Sequence, residues 1–261
     1  MKRAIVVAIS VLLALVVAAP IASGQSSSQG KNLGKGQNLG KLTGDWYNWA
    51  VSTNPSPVFG SDLTQPVYSD AQCDGNFVDG VFFLAGSLTS DPVTRTCTVP
   101  VPANTPILFP VVNYGCGAAP TIPVVDENGH PVLDENGNQT FTGDPKPYNK
   151  CSQDVIDYFV LHSTNVFATL NGEQPLEIQR LESGPFTLTV PSNGQDPPSD
   201  YLPTVPPGSY KSAASGLWVY LPQGLEPGTN TLHWGGTFEL PPEFGGGTFT
   251  QDITYILTVV D

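Results

Sequence analysis

The chain has 261 residues with 10 basic and 23 acidic side chains, a formal charge of −13, and only 13% charged residues. Every acidic residue lies at or after Asp45, where five basic residues stand against 23 acidic ones, a balance of −18. A domain of that sign repels DNA, RNA and anionic membrane surfaces, which excludes nucleic-acid binding; charged residues are about half the usual share, so scarcity of lysine, with solubility as its consequence, explains the acidity better than a dedicated cation surface.

Met1 to Gly24 reads as a secretory signal peptide. Lys2 and Arg3 precede an apolar run from Ala4 to Ala19, Pro20 ends it, and Ala22 and Gly24 are small enough for a cleavage site before Gln25. The run is shorter than the roughly twenty apolar residues that span a bilayer, and no second long apolar run follows, so no membrane insertion is expected. Gln25 to Gly44 is rich in Gly, Ser, Gln and Lys and repeats Asn-Leu-Gly-Lys at Asn32 and Asn38, the composition of a flexible spacer.

From Asp45 short apolar runs alternate with clusters of Gly, Pro, Asn and Asp. This predicts a single all-β domain over 45–261, an antiparallel β-sandwich of jelly-roll-like or Ig-like type. The runs at 80–86, 96–101 and 106–112 are compact enough to be buried strands. Those at Phe186–Val190 and Ile253–Val259 alternate apolar and polar residues, which predicts one wet face. Asn171-Gly172 is a hairpin turn, because both residues tolerate positive φ. One short helix is predicted near 152–161, with Ser152 as its cap and Val155, Ile156, Phe159 and Val160 on its apolar side.

Four cysteines, Cys73, Cys97, Cys116 and Cys151, allow three pairings in an oxidising compartment. Cys73 with Cys97 and Cys116 with Cys151 is favoured, since each closes a local loop. The nearest spacing is 19 residues, unlike the close pairs of zinc sites.

Asp126 and Asn128 lie in Val-Asp-Glu-Asn-Gly and are echoed by Asp134 and Asn136 in Leu-Asp-Glu-Asn-Gly eight residues on. Their oxygens suit calcium, the one cofactor the sequence offers. Yet counted from Asp134 the EF-hand positions for glycine and glutamate hold Gln139 and Pro145, and a hairpin is the preferred reading. Asn138-Gln139-Thr140 is a glycosylation sequon. His233, within Thr231-Leu-His-Trp-Gly-Gly236, sits opposite Leu232 and Trp234 in an alternating strand, beside two glycines that let another backbone approach. Packing or surface exposure competes with function there, as core packing competes with sugar stacking at Trp46 and Trp49. Arg180 and Arg95, rare cations in an acidic domain, call for salt-bridge partners. No Gly-x-Ser-x-Gly elbow or His-Glu-x-x-His pattern occurs.

In three stretches the chain resembles a group of exported, functionally uncharacterised bacterial β-rich proteins. They are Trp46-Tyr-Asn-Trp49 through Cys73, Val81-Phe-Phe-Leu-Ala-Gly86, Arg95-Thr-Cys-Thr-Val-Pro100 and Ile107–Asn113; Ala168–Gly172 through Arg180, Ser183 and Phe186–Pro191; and Leu225–Gly236 closing with Asp252–Val259. The resemblance implies one secreted β-rich domain and transfers no activity. Members of the group tend to carry His-Thr-Ile-His before the paired glycines, where this chain has Asn230 and keeps only His233.

These features lead to a secreted (extracellular or periplasmic), disulfide-stabilised β-sandwich, foremost a non-enzymatic extracellular binding or surface-associated domain with a glycan or cell-surface partner. A secreted hydrolase of polysaccharide or peptide, and a structural subunit of a cell-surface assembly, are the alternatives. The oligomeric state is left open.

Overall fold

The computed structural model describes residues 38–52, 73, 76–87, 90–117, 122–123, 126, 132, 141–142, 148–190, 208–239 and 247–261. The predicted signal peptide, the spacer up to residue 37, Asn128, Asp134, Asn136 and Asn138 lie outside the described residues. In chain order the elements are α1 (Leu39–Ser52), β1 (Phe77–Val78), β2 (Val81–Phe83), β3 (Val93–Thr96), β4 (Val101–Pro102), β5 (Ile107–Gly117), β6 (Ile122–Pro123) and β7 (Phe141–Thr142). There follow α2 (Tyr148–Leu161), β8 (Ser163–Leu170), β9 (Gln174–Pro175), β10 (Gln179–Glu182), β11 (Phe186–Val190), β12 (Gly208–Leu221), β13 (Gly228–Glu239) and β14 (Thr248–Val260).

The strands form two six-stranded sheets packed as a sandwich, with β6 and β7 pairing apart from them. One sheet runs β1-β2-β5-β12-β10, with β11 also on β12; the other runs β3-β14-β13-β8-β9, with β4 also on β14. Most pairs are antiparallel, but β2–β5, β14–β3 and β14–β4 are parallel, a departure from the expected antiparallel sandwich. The cause is connectivity: between β2 and β5 the chain crosses to the other sheet for β3 and β4, so it re-enters in its original direction, which a tight hairpin cannot do.

The centre of the first sheet, β2 with most of β5 and the second half of β12, is buried on both faces. Phe82, Phe109, Val111 and Val219 point into the space between the sheets and meet Leu232, Trp234, Ile253, Tyr255 and Leu257. Trp234 is fully buried, with its ring centroid 4.3 Å from Phe109 and 5.3 Å from Tyr255. On the far side Val81, Phe83, Leu108, Trp218 and Tyr220 are covered by α1. Val112 is covered by Val155, Ile156 and Phe159 of α2. Two-sided burial is why the runs around β2 and β5 are continuously apolar.

Helix α1 corrects the sequence reading twice: there are two helices among the described residues, and the spacer does not extend to Gly44. Leu39, Leu42, Trp46, Trp49 and Ala50 fall on one helical face and are all buried. Asn38 Oδ1 accepts the Lys41 amide at 3.3 Å as a cap. On the wet side Lys41 Nζ reaches Asp45 Oδ2 at 2.6 Å, four residues on, and this hydrogen bond raises the lysine above its ordinary range. Gly40 and Gly44 made the segment look like a linker, but they are points of close approach. A Cβ at Gly40 would lie 2.6 Å from the Glu182 carbonyl oxygen, and one at Gly44 would lie 3.0 Å from the Phe186 ring. Asn48 then hydrogen-bonds the β11 backbone, donating to Thr187 O at 2.8 Å and accepting from Thr189 N at 2.9 Å, which covers an exposed strand edge.

Helix α2 starts at Tyr148, four residues before the predicted cap. Ser152 is therefore interior and buried, its hydroxyl 3.5 Å from that of Ser215 on β12. The Asn171-Gly172 turn forms between β8 and β9 with φ of 53° and 81°, as its residue types require.

Cys73 and Cys97 form a disulfide with a Cα–Cα distance of 5.2 Å. Cys116 is also disulfide-bonded; the side chain of its expected partner, Cys151, lies outside the described residues. Two residues before Cys97, Arg95 is 4% exposed and donates to Ala85 O at 2.8 Å, Gly86 O at 2.8 Å and the Tyr255 hydroxyl. Arg95 thus joins β3 and β14 of one sheet to the chain leaving β2 of the other. Removing the Cys73–Cys97 cross-link, which closes a separation of 24 residues, by Cys73→Ser with Cys97→Ser should lower the unfolding free energy by about 3 kcal/mol through loop entropy. Guanidinium denaturation followed by tryptophan fluorescence measures this.

Candidate functional site on the open sheet

The second sheet keeps one face in water. Along β13, Leu232, Trp234 and Phe238 are buried while Thr231, His233 and Thr237 are partly exposed; along β14, Gln251, Ile253, Tyr255 and Leu257 are buried while Thr250, Asp252, Thr254 and Ile256 face outward. Period-two alternation produces this division. Strand register aligns the outward residues in rows: Thr169, His233, Thr254 and Thr94; Phe167, Gly235 and Asp252; Thr164, Thr237 and Thr250. Threonine dominates, and Thr237 and Thr250 bring their hydroxyls to 3.4 Å across the strands.

His233 and Asp252 break the threonine pattern. They are in adjacent rows on neighbouring strands, and His233 Nε2 meets Asp252 Oδ1 at 2.7 Å with the two side chains 37% and 42% exposed. Phe167, on the other side of β13, sets its ring edge-on to the imidazole at 4.7 Å. Among the described residues neither His233 Nδ1 nor Asp252 Oδ2 has a protein hydrogen-bond partner. The pair can therefore offer a carboxylate acceptor and a ring nitrogen that donates or accepts according to tautomer.

Gly235 stands directly between Phe167 and Asp252 in the cross-strand register. A Cβ there would collide with the backbone carbonyl oxygen of Gln251, so close approach of β14 requires glycine. The same requirement removes one side chain from the outer lattice. Gly235 is itself buried, and the His233 imidazole, in contact with both Phe167 and Asp252, lies on the outer face beside it.

The remaining candidates separate from this place. Trp46 and Trp49 are 3% and 5% exposed in the α1 core, and the Trp46 indole donates to Leu84 O at 2.9 Å; neither ring can stack on a sugar, which corrects that reading. Arg180 makes ion pairs with Asp157 of α2 and, at 3.2 Å, with Glu182, so it fastens α2 to β10 away from the open face. Asn230, the position at which the resembling proteins tend to carry a second histidine, is buried on the opposite side of β13 from His233 and donates to Glu226 O at 2.8 Å within the turn. Asp126 is exposed, its three companion calcium candidates lie outside the described residues, and no group of metal-ligating side chains occurs among the described residues. Strands β6 and β7 pair on either side of the acidic repeat.

Sequence reasoning found His233 and the close backbone approach at the neighbouring glycines, and missed Asp252 and Phe167. Their common signal, threonine alternation in three separate strands, is visible in the chain, but which strand neighbours which is not. No known protein family, curated protein or solved structure matches this chain, so the site is read from its own geometry.

Gly235→Ala should destabilise the fold by about 2 kcal/mol, because the added carbon must displace backbone. Asp252→Ala should cost less than about 1 kcal/mol, since a half-exposed pair is screened by water. Urea denaturation of the two variants separates a structural glycine from a dispensable surface carboxylate.

Proposed function

We propose that the protein is an exported, disulfide-stabilised binding domain without catalytic activity, which presents the open face of the β3-β14-β13-β8 sheet to a glycan or other cell-surface partner. The observation that carries this reading is the asymmetry of the sandwich. Helices cover one sheet, whereas the other keeps an ordered, nearly uncharged outer face in a strongly acidic chain. A regular face with one interruption of different chemistry has the form of a recognition surface. Disulfides support an oxidising compartment, and no helix among the described residues is long and apolar enough to cross a membrane. The predicted signal peptide supplies the route out of the cell, and the resemblance to exported β-rich proteins agrees with it.

The full chain is expressed and its product collected from the culture supernatant, then applied to an array of glycans, cell-wall polymers and extracellular proteins. The expected result is retention without release of reducing sugar or peptide. Retention should be lost in Thr254→Arg on the open face and kept in Lys211→Glu at the exposed start of β12. Turnover of the retained material, which a hydrolase would give, or equal retention by both variants overturns the reading.

A further inference from the structure

We infer that the open face of the second sheet takes a second copy of this chain, joined about a two-fold axis that sets each protonated His233 against Asp252 of the other copy. The inference rests on the open face being the binding surface, and it names the partner.

Charge selects the face. Two chains that each carry −18 from Asp45 onward repel one another over most of their surfaces. Among the described side chains the lysines and arginines are Lys41 on α1, Arg95 buried inside β3, Arg180 held by Asp157 and Glu182, and Lys211 at the start of β12, so none lies on this face. The other titratable groups on or beside it are carboxylates: Asp252 on β14, Glu239 at the end of β13, Glu177 two residues past β9 and Asp91 two residues before β3. On β8 the neighbours of His233 are Thr169 and Phe167, which do not titrate. His233 is therefore the one described group of this face that can turn positive.

Geometry makes the pair self-complementary. A two-fold contact brings the same patch of both copies together, so that residue i meets j and j meets i. With the axis in the plane of contact and midway between His233 and Asp252, each imidazole lies over the carboxylate of the other copy. Within one copy His233 Nε2 already meets Asp252 Oδ1 at 2.7 Å, and neither Nδ1 nor Oδ2 has a protein hydrogen-bond partner among the described residues. In the imidazolium both ring nitrogens carry hydrogen, so Nε2 donates to Asp252 of its own chain and Nδ1 donates to Asp252 Oδ2 of the other. Two imidazolium rings and two carboxylates then close a ring of alternating charge. A neutral imidazole that donates from Nε2 keeps a lone pair at Nδ1 and turns acceptor toward acceptor. Contact therefore requires the proton.

Area agrees with a reversible contact. Thr229 to Glu239 along β13 is ten residue steps, about 34 Å, and four strands span about 19 Å, a face of about 650 Å². Two such faces bury about 1,300 Å² in all, the low end of specific interfaces. Threonine rows bring methyl and hydroxyl groups together, which suits two sheets stacked about 10 Å apart. A contact of that size is small enough for the central charge pairs to decide it.

Sedimentation equilibrium of the secreted product tests this. The protein should be monomeric at about pH 8 and dimeric at about pH 5.5, because an unperturbed imidazole gains its proton between those values. His233→Gln and Asp252→Asn should each weaken association at the lower pH at least tenfold, at unchanged melting temperature. Asp252→Lys and His233→Asp should each stay monomeric alone and form a one-to-one complex when mixed at about pH 8, since the two-fold contact then sets the introduced lysine against the introduced aspartate. A monomer at both pH values, association unchanged in the His233 and Asp252 variants, or no complex in the mixture overturns the inference. If the protein stays monomeric while Thr254→Arg still abolishes retention on the array, the open face remains the binding surface and only the second copy fails as its partner. Acid-formed dimers with an empty array support the inference and overturn the array partner alone. If Thr254→Arg leaves both association and retention as in the parent, both fail.

Discussion

Burial of the β5–β12 pair on both of its faces is the constraint from which the rest of the molecule follows. Phe109 and Val219 face the second sheet while Leu108, Trp218 and Tyr220 face α1, so the pair is stable only when both covering layers are in place. Helix α1 is therefore part of the core, and the sandwich becomes an asymmetric stack of helices, covered sheet and open sheet. The second sheet, placed outermost, is the layer left with a face in water.

Local devices hold that stack in register. Trp234 lies between Phe109 of one sheet and Tyr255 of its own. Arg95 reaches across to the carbonyl groups that follow β2, and the Cys73–Cys97 bridge closes nearby. Backbone carbonyls leaving a strand inside a protein need donors, and a buried guanidinium supplies several in a fixed geometry. Rigidity at this depth matters for the face outside it. His233 and Asp252 belong to the same strands as Trp234 and Tyr255, so packing of the inner residues sets the spacing of the outer ones.

Much of the fold is legible in the chain because side-chain period and burial are local properties. The continuous runs of β2 and β5 announce two-sided burial, the alternation of β14 announces one wet face, and Asn171-Gly172 marks its turn through the need for positive φ. Helix α1 is not legible. Gly40 and Gly44 lower helix propensity and suggest a flexible leash, while their value lies in contacts with Glu182 and Phe186, some 140 residues away. The parallel pairs are hidden for a related reason: direction of pairing depends on which sheet the chain visits between two strands, and the strands themselves do not encode it.

Composition and pattern alone determine that this is an acidic, β-rich, cysteine-paired chain with an exposed-side histidine in an alternating strand, because charge, periodicity and turn chemistry are written residue by residue. Tertiary structure decides that Trp46 and Trp49 are core, that Arg180 is committed to Asp157 and Glu182, and that His233 meets Asp252 and Phe167 around Gly235. Those partners come from strands 19 and 66 residues away from His233. Only the register of β8, β13 and β14, set by packing on the opposite face, brings them to the same spot.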